Sequence, residues 1–274
     1  MQLFRKHIRP AWIFRSGKKV WRLLPGHGVL AVELRDTEKK ETEFAALNIF
    51  TGSPYWHNLQ FDEKWWITVN KVHRGVLLLQ QFVKPDMPTP GRIFAVDALT
   101  GRLLWQNDEL KYVNAVDNVV YGLRSTLTSE EVVGLDCRTG ESSVTIPADD
   151  TRLQEISGTS DELNYLLPVS FDELDEKSAS VSGEVIPPGA KAPSVIKTES
   201  GWQVLGFHIA GGTDEKGVPL YESHLKVMDN NGHLQFQDVT DRGLYTTLLD
   251  FYFIVSGMLL FVRNSNEIVA VRLS

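Results

Sequence analysis

A Thr-Gly step with tryptophan four residues beyond the glycine occurs twice in this chain, each time after an apolar run. That recurrence constrains the fold more than any other feature. The copies are AVDALTGRLLWQND at 95–108 and ALNIFTGSPYWHN at 46–58. They align Asp97, Thr100, Gly101 and Trp105 with Asn48, Thr51, Gly52 and Trp56. Weaker copies share the register: Gly140 with Val144, Gly232 with Phe236, and Gly17 with Trp21. Successive glycines are 35, 49, 39 and 92 residues apart, and the last interval halves to 46, as if one copy had decayed between Gly140 and Gly232. Periods of roughly 35–50 residues, each with four strands, predict a β-propeller.

The chemistry of the motif agrees. Thr-Gly between two β-favouring runs is a hairpin signal, because glycine takes positive φ without steric cost and its polar neighbours bond the turn backbone. The aromatic at glycine plus four then belongs to an outer strand, where Trp21, Trp56, Trp105 and Phe236 would fill the gap between blades. Continuous apolar runs at 28–34, 74–83, 118–123, 202–210 and 257–262 read as inner strands buried on both faces. No run of a dozen residues has helical spacing and caps, which argues against a βαβ architecture. The chain ends in EIVAVRLS, where a motif hairpin would turn, and SGKKVWRLL near the N-terminus would supply that hairpin and outer strand. The expectation is an all-β propeller of about six four-stranded blades, five and seven being the alternatives, closed by pairing of its two terminal segments. It would be a single domain over 1–274, with a long polar surface loop at 171–200.

Composition narrows the class. With 42% hydrophobic and 23% charged residues the chain has enough apolar surface for a core, which excludes overall disorder. The lone Cys137 cannot form an internal disulfide, and no Cys/His pair has zinc-ligand spacing, so no metal is expected. The run AWIF, broken by Arg15, is too short for a signal peptide, and 251–262 is too short to span a bilayer. The sequence therefore predicts a cytoplasmic monomer without a transmembrane segment. A net charge of −7 argues against nucleic acid as a partner. Residues 1–22 carry Arg5, Lys6, Arg9, Arg15, Lys18, Lys19 and Arg22 with no acid. That is either a basic arm for an acidic surface or the solvated faces of two strands.

The segments AVDALTGRLLW and ALNIFTGSPYW resemble the tryptophan-docking repeat of the quinoprotein (pyrroloquinoline-quinone-like) propellers, in which Ala-x-Asp-x-x-Thr-Gly-x-x-x-Trp recurs once per blade. The match is specific over 44–108 and extends over the rest of the chain only as a period. The Gly140 copy lacks the tryptophan, the Gly232 copy has Asp229 shifted by one position, and the Gly17 copy lacks the acid. The resemblance implies a structural role for the repeat and a bacterial protein of an uncharacterised family. Members of that superfamily range from quinone-dependent dehydrogenases to non-catalytic scaffolds, so fold does not select function. A lone cysteine and 274 residues do not fit a bound quinone, and no cofactor is expected.

Candidate chemistry is sparse. His208 and His224 would form an acid–base or metal-binding pair if both rings reached one channel mouth beside Asp229 or Glu222; the alternative is hydrogen-bonded strand histidines. Trp65 and Trp66 face opposite sides if they lie on a strand, leaving one free to stack on a ligand or to cover a blade edge. The loop KPDMPTPG at 84–91 presents Met87 to a partner or is only a connector. Glycine-rich phosphate loops, Gly-x-Ser-x-Gly and His-Glu-x-x-His are absent from the sequence. The leading expectation is a non-catalytic scaffold that binds a protein partner or small ligand at one face. A hydrolase or lyase acting on a sugar or other polar small molecule stands second, and a membrane accessory third.

Overall fold

The computed structural model describes residues 8–83, 90–126, 129–147, 149–158, 165–171, 186–248 and 251–273. The chain is nearly all β and falls into two compact units, Lys18–Leu163 and Met1–Gly17 with Asn164–Ser274. Each is an arrangement of small antiparallel sheets.

Strand β1 (Pro10–Arg15) belongs to the second unit; the next twelve strands build the first. They form three four-stranded meanders in sequence order: β2 (Lys19–Gly26), β3 (Val29–Asp36), β4 (Glu41–Asn48) and β5 (Pro54–Leu59); β6 (Ile67–His73), β7 (Val76–Phe82), β8 (Pro90–Asp97) and β9 (Leu103–Asn107); β10 (Lys111–Val116), β11 (Val119–Ser125), β12 (Glu130–Asp136) and β13 (Ser142–Pro147). The short helix α1 (Arg152–Gly158) follows, and the Asn114 side-chain amide donates to the Ile156 carbonyl at 2.6 Å.

The second unit contains β14 (Tyr165–Leu166), β15 (Val169–Ser170), β16 (Lys191–Lys197), β17 (Gln203–Thr213), β18 (Pro219–Met228), β19 (Leu234–Leu244), β20 (Tyr252–Val255), β21 (Met258–Arg263) and β22 (Glu267–Arg272). Its sheets run β15-β16-β17-β18-β19 and β1-β22-β21-β20-β14.

The apolar runs lie where two-sided burial requires them. On β7, Leu77 and Leu79 pack with Val29, Ala31, Phe44 and Ala46 of the preceding sheet, whereas Val76 and Leu78 face Ala115, Val120 and Val133 of the following one. Alternate side chains of one strand thus fill two cores, which removes the polar-out alternation of a one-sided sheet. In the second unit, Val204, Leu225 and Val227 pack on Tyr252, Leu259, Phe261 and Val269 in the same way. Each fully buried aliphatic side chain contributes about 1.5–3 kcal/mol.

Three expectations change. First, the strand that completes the C-terminal sheet is β1, paired Ile13↔Val269 and Phe14↔Ile268, and not residues 16–24; Lys19–Gly26 instead begins another sheet. Gly17 makes no motif turn: its φ is not positive, and Ile13 stands four residues ahead where the other turns carry Asn or Asp. Trp21 accordingly lies on β2, 48% exposed, instead of filling an inter-sheet gap. Second, the described strands make five sheets, the number held as an alternative to the six reached by halving the interval between Gly140 and Gly232. That interval carries α1 and the two-residue strands β14 and β15, which join existing sheets. Third, 191–197 within the expected surface loop is strand β16, while 172–185 lie outside the described residues.

Candidate functional site

The repeat builds one turn three times. Asn48, Asp97 and Asp136 each end a third strand and accept two backbone N–H bonds through Oδ1: from Phe50 and Thr51, from Leu99 and Thr100, and from Arg138 and Thr139, at 2.9–3.1 Å. Gly52, Gly101 and Gly140 then donate to the carbonyls of those same residues at 2.8, 2.9 and 2.9 Å, with φ of 70–73°. These bonds hold the Asp136 carboxyl below its ordinary pKa range. Burial pushes Asp97 upward, but bonds from Thr100, Arg138 and Leu99 outweigh it and lower that carboxyl too. Asp229 makes a turn one residue shorter, accepting from Asn231 and His233 at 2.9 and 3.0 Å.

The tryptophans fasten neighbouring sheets through these turns. Trp56 Nε1 donates to the Ala98 carbonyl at 2.9 Å, and Trp105 Nε1 to the Cys137 carbonyl at 3.0 Å. Both rings lie against the glycine of the turn they reach. A Cβ added to Gly101 would sit 3.0 Å from Trp56 Cγ, and one added to Gly140 only 2.6 Å from Trp105 Cγ. Val144 replaces the third tryptophan, and Phe236 packs near Phe261, ring centroids 6.1 Å apart.

The strand register separates the two histidines. Phe207 is opposite His224 and His208 opposite Ser223 across β17 and β18, and adjacent residues of a strand face opposite sides. His224 stacks flat on Phe207, with an interplanar angle of 3°. Its Nε2 lies 3.5 Å from Glu222 Oε2, and Arg242 holds Glu222 at 3.1 Å. Burial lowers the His224 pKa against the opposing charge of Glu222, and Arg242 and Lys226 add to the lowering. His208 is fully buried and accepts the Leu248 N–H through Nε2 at 3.0 Å. Burial lowers its pKa, the Lys191 backbone opposing the shift and His224 adding to it. Asp229 joins neither histidine, because its carboxylate is occupied by its own turn and by Gln235 Nε2 at 2.7 Å.

Trp65 and Trp66 lie in the bend before β6, not on a strand, and both backbone N–H groups donate to Glu63 Oε1 at 2.8 Å. The Arg35 guanidinium carbon lies 4.8 Å from the ring centres of both Trp65 and Trp21. One face of the Trp65 ring is thus covered by an arginine of the same chain. Much of the basic N-terminal stretch is also engaged: Arg15 with Glu267, Lys18 with Glu43, and Arg22 with the Val69 carbonyl. Arg5, Lys6 and Met87 lie outside the described residues.

Sequence reasoning missed a set of buried polar latches. Glu33, fully buried on β3, accepts Val69 N–H at 3.1 Å and Thr68 Oγ1 at 2.7 Å while pairing with Arg35 at 2.8 Å. Gln80, at the matching place on β7, accepts Tyr112 N–H at 2.8 Å. The visible signal was an acid, and then an amide, inside otherwise apolar strands. Among the described residues no three His, Cys, Asp or Glu gather as a metal-ligand set, and no helix is long and apolar enough to cross a membrane.

Residues 24–105 match the model of a domain of unknown function (DUF4905). No curated protein matches the chain. Solved structures similar to it include a europium-containing methanol dehydrogenase, 14% identical with a TM-score of 0.35 over 92% of this chain and 47% of that one. A bifunctional GH43-CE protein of Bacteroides eggerthii is 11% identical with a TM-score of 0.31, covering 97% of this chain and 34% of its own. An endo-arabinase from Bacteroides thetaiotaomicron VPI-5482 is 10% identical with a TM-score of 0.30 over 98% and 97%. The chain spans less than half the length of the first two. At these TM-scores the likenesses do not bear on the site.

Proposed function

We propose that the chain is a single propeller domain with the five sheets as blades, acting as a cytoplasmic, monomeric, non-catalytic scaffold that binds a protein partner or small ligand at one face. The observation that carries the non-catalytic reading is the register of β17 and β18, which puts His208 and His224 on opposite faces of one sheet. A hydrolase or lyase built on the two rings needs them at one reacting centre. The other chemistry-bearing groups are engaged in the fold: Asp97, Asp136 and Asp229 in turns, Glu33 and Gln80 in latches, and the indoles of Trp56 and Trp105 in sheet-to-sheet bonds. The repeat acts here as a fastener, in keeping with its resemblance to the tryptophan-docking repeat.

The test is a screen of chromogenic glycosides and esters with the wild-type chain and His224→Ala. The scaffold reading expects no turnover above background from either protein. Turnover by the wild type that His224→Ala abolishes would replace it with the enzyme reading, Glu222 and His224 being the groups then at work.

A further inference from the structure

The segment 165–171 differs from the other strands. It runs along two sheets of one unit: β14 pairs with β20 through Tyr165↔Val255 and Leu166↔Ile254, and β15 pairs with β16 through Val169↔Val195 and Ser170↔Ser194. Pro168 stands between the two short strands. Each ladder has two residue pairs, against seven between β11 and β12. The segment's two ends touch the core, Tyr165 edge-on to Phe253 and Phe171 against the cluster of Val195, Leu205 and Met228, but its middle is exposed. Leu166, Leu167 and Val169 are 43%, 48% and 40% exposed, whereas the whole of β20, Tyr252–Val255, is buried. Such an added strand is no requirement of a sheet of this kind, since β2, β6 and β10 end their sheets without one among the described residues.

A strand held by few backbone bonds, over an edge that is wholly buried on β20 and buries Val195 and Ile196 on β16, covers a pairing site without being fixed to it. We infer that the edges of β16 and β20 are a strand-accepting site for an extended apolar peptide, occupied in cis by 165–171 and opened when a partner's strand displaces it. Recognition would be β-strand addition, with backbone bonds supplying affinity and alternate apolar side chains supplying selectivity. Leucine and valine, which the cis strand itself places there, define the class of side chain.

This deepens the scaffold reading and rests on it for the existence of a partner. The probe is a fluorescein-labelled peptide of sequence YLLPVSF. It is titrated by anisotropy onto the wild-type chain and onto a full-length variant whose residues 165–171 are replaced by Gly and Ser. The variant is expected to bind at least about tenfold more tightly than the wild type, in which the cis strand competes, while a scrambled peptide binds neither. Equal binding to both proteins, or none to a variant that keeps its wild-type thermal transition, would overturn the inference. Hydrogen exchange on the wild type decides the case independently of how the variant folds. Amides of 165–170 should exchange about 100-fold faster than those of 204–207 and 259–261, and equal protection would sink the exchangeable strand. A failed peptide titration removes only this site, whereas turnover in the substrate screen removes the scaffold reading itself.

Discussion

Trp105 and Phe236 occupy the same place in their repeats, four residues after a turn glycine, yet they fasten their sheets differently. Trp105 is buried, donates a hydrogen bond to Cys137, and lies against Gly140 closely enough to exclude a methyl group. Phe236 is half-buried, has no side-chain donor, and meets Phe261 at a tilt of 51°. The two units therefore share a turn but not a lock. In Lys18–Leu163 a turn glycine can be both the left-handed residue and the floor for an indole. Gly232 in the other unit is only the left-handed residue, since nothing lies within 4 Å of where its Cβ would stand. A degenerate motif can thus keep its hairpin after losing its fastener.

The widest separation is expected at the aromatics themselves. Trp105→Ala removes a buried ring and its hydrogen bond and should lower the unfolding free energy by about 3–5 kcal/mol in urea titrations, against about 1–2 kcal/mol for Phe236→Ala. Equal losses would mean that the indole bond adds nothing to simple burial. The glycines give the next contrast. Gly140→Ala meets both backbone strain and the Trp105 ring, at about 2–4 kcal/mol, whereas Gly232→Ala meets strain alone, at about 1 kcal/mol. Gly101→Ala should fall between them, because its methyl would approach Trp56 less closely.

His208, which accepts the Leu248 N–H as the Gln80 latch accepts that of Tyr112, provides a third contrast, in pH. The His208 pKa is lowered in the folded chain, so below about pH 6.5 the unfolded chain binds more protons than the folded one. The stability tied to His208 is therefore complete above that pH and is lost as pH falls through it. Gln80, which does the same work with an amide, titrates nowhere. His208→Gln should consequently flatten the urea midpoint between pH 7 and 5, and an unchanged slope would show that the proton is taken up elsewhere. The smallest effect is expected for Asp97→Asn, within about 1 kcal/mol at neutral pH, because Asn48 already forms this turn with an amide. Asp97 is held below its ordinary pKa, so its contribution is present above the unfolded carboxylate range and lost as pH falls through the folded value. The asparagine variant should lose that acid dependence.

The turn and its register were legible because they rest on local chemistry: Thr-Gly, an acid or amide ahead of it, and an apolar strand on each side are contiguous in sequence. Two-sided burial could be read from runs such as VLLL. What could not be read depended on which residues meet across strands. Whether His208 and His224 share a face follows from one pairing, Phe207 with His224, and neither residue announces it. Trp21 was misplaced because glycine and tryptophan at the right spacing imitate a repeat even when the capping residue is missing. That Trp65 covers a cation of its own chain could not be read either, because Arg35 is thirty residues away in the sequence.

The pairing of β1 with β22 has a consequence for the order of assembly. Arg15 and Glu267 are 252 residues apart, and β1, the first of the described strands, pairs only with β22, the last of them. During synthesis the three meanders of Lys18–Leu163, whose contacts are local, can form while β1 waits without a partner, and its sheet closes only once residue 272 has emerged. Loss of β22 would therefore leave β1 without its pairing strand.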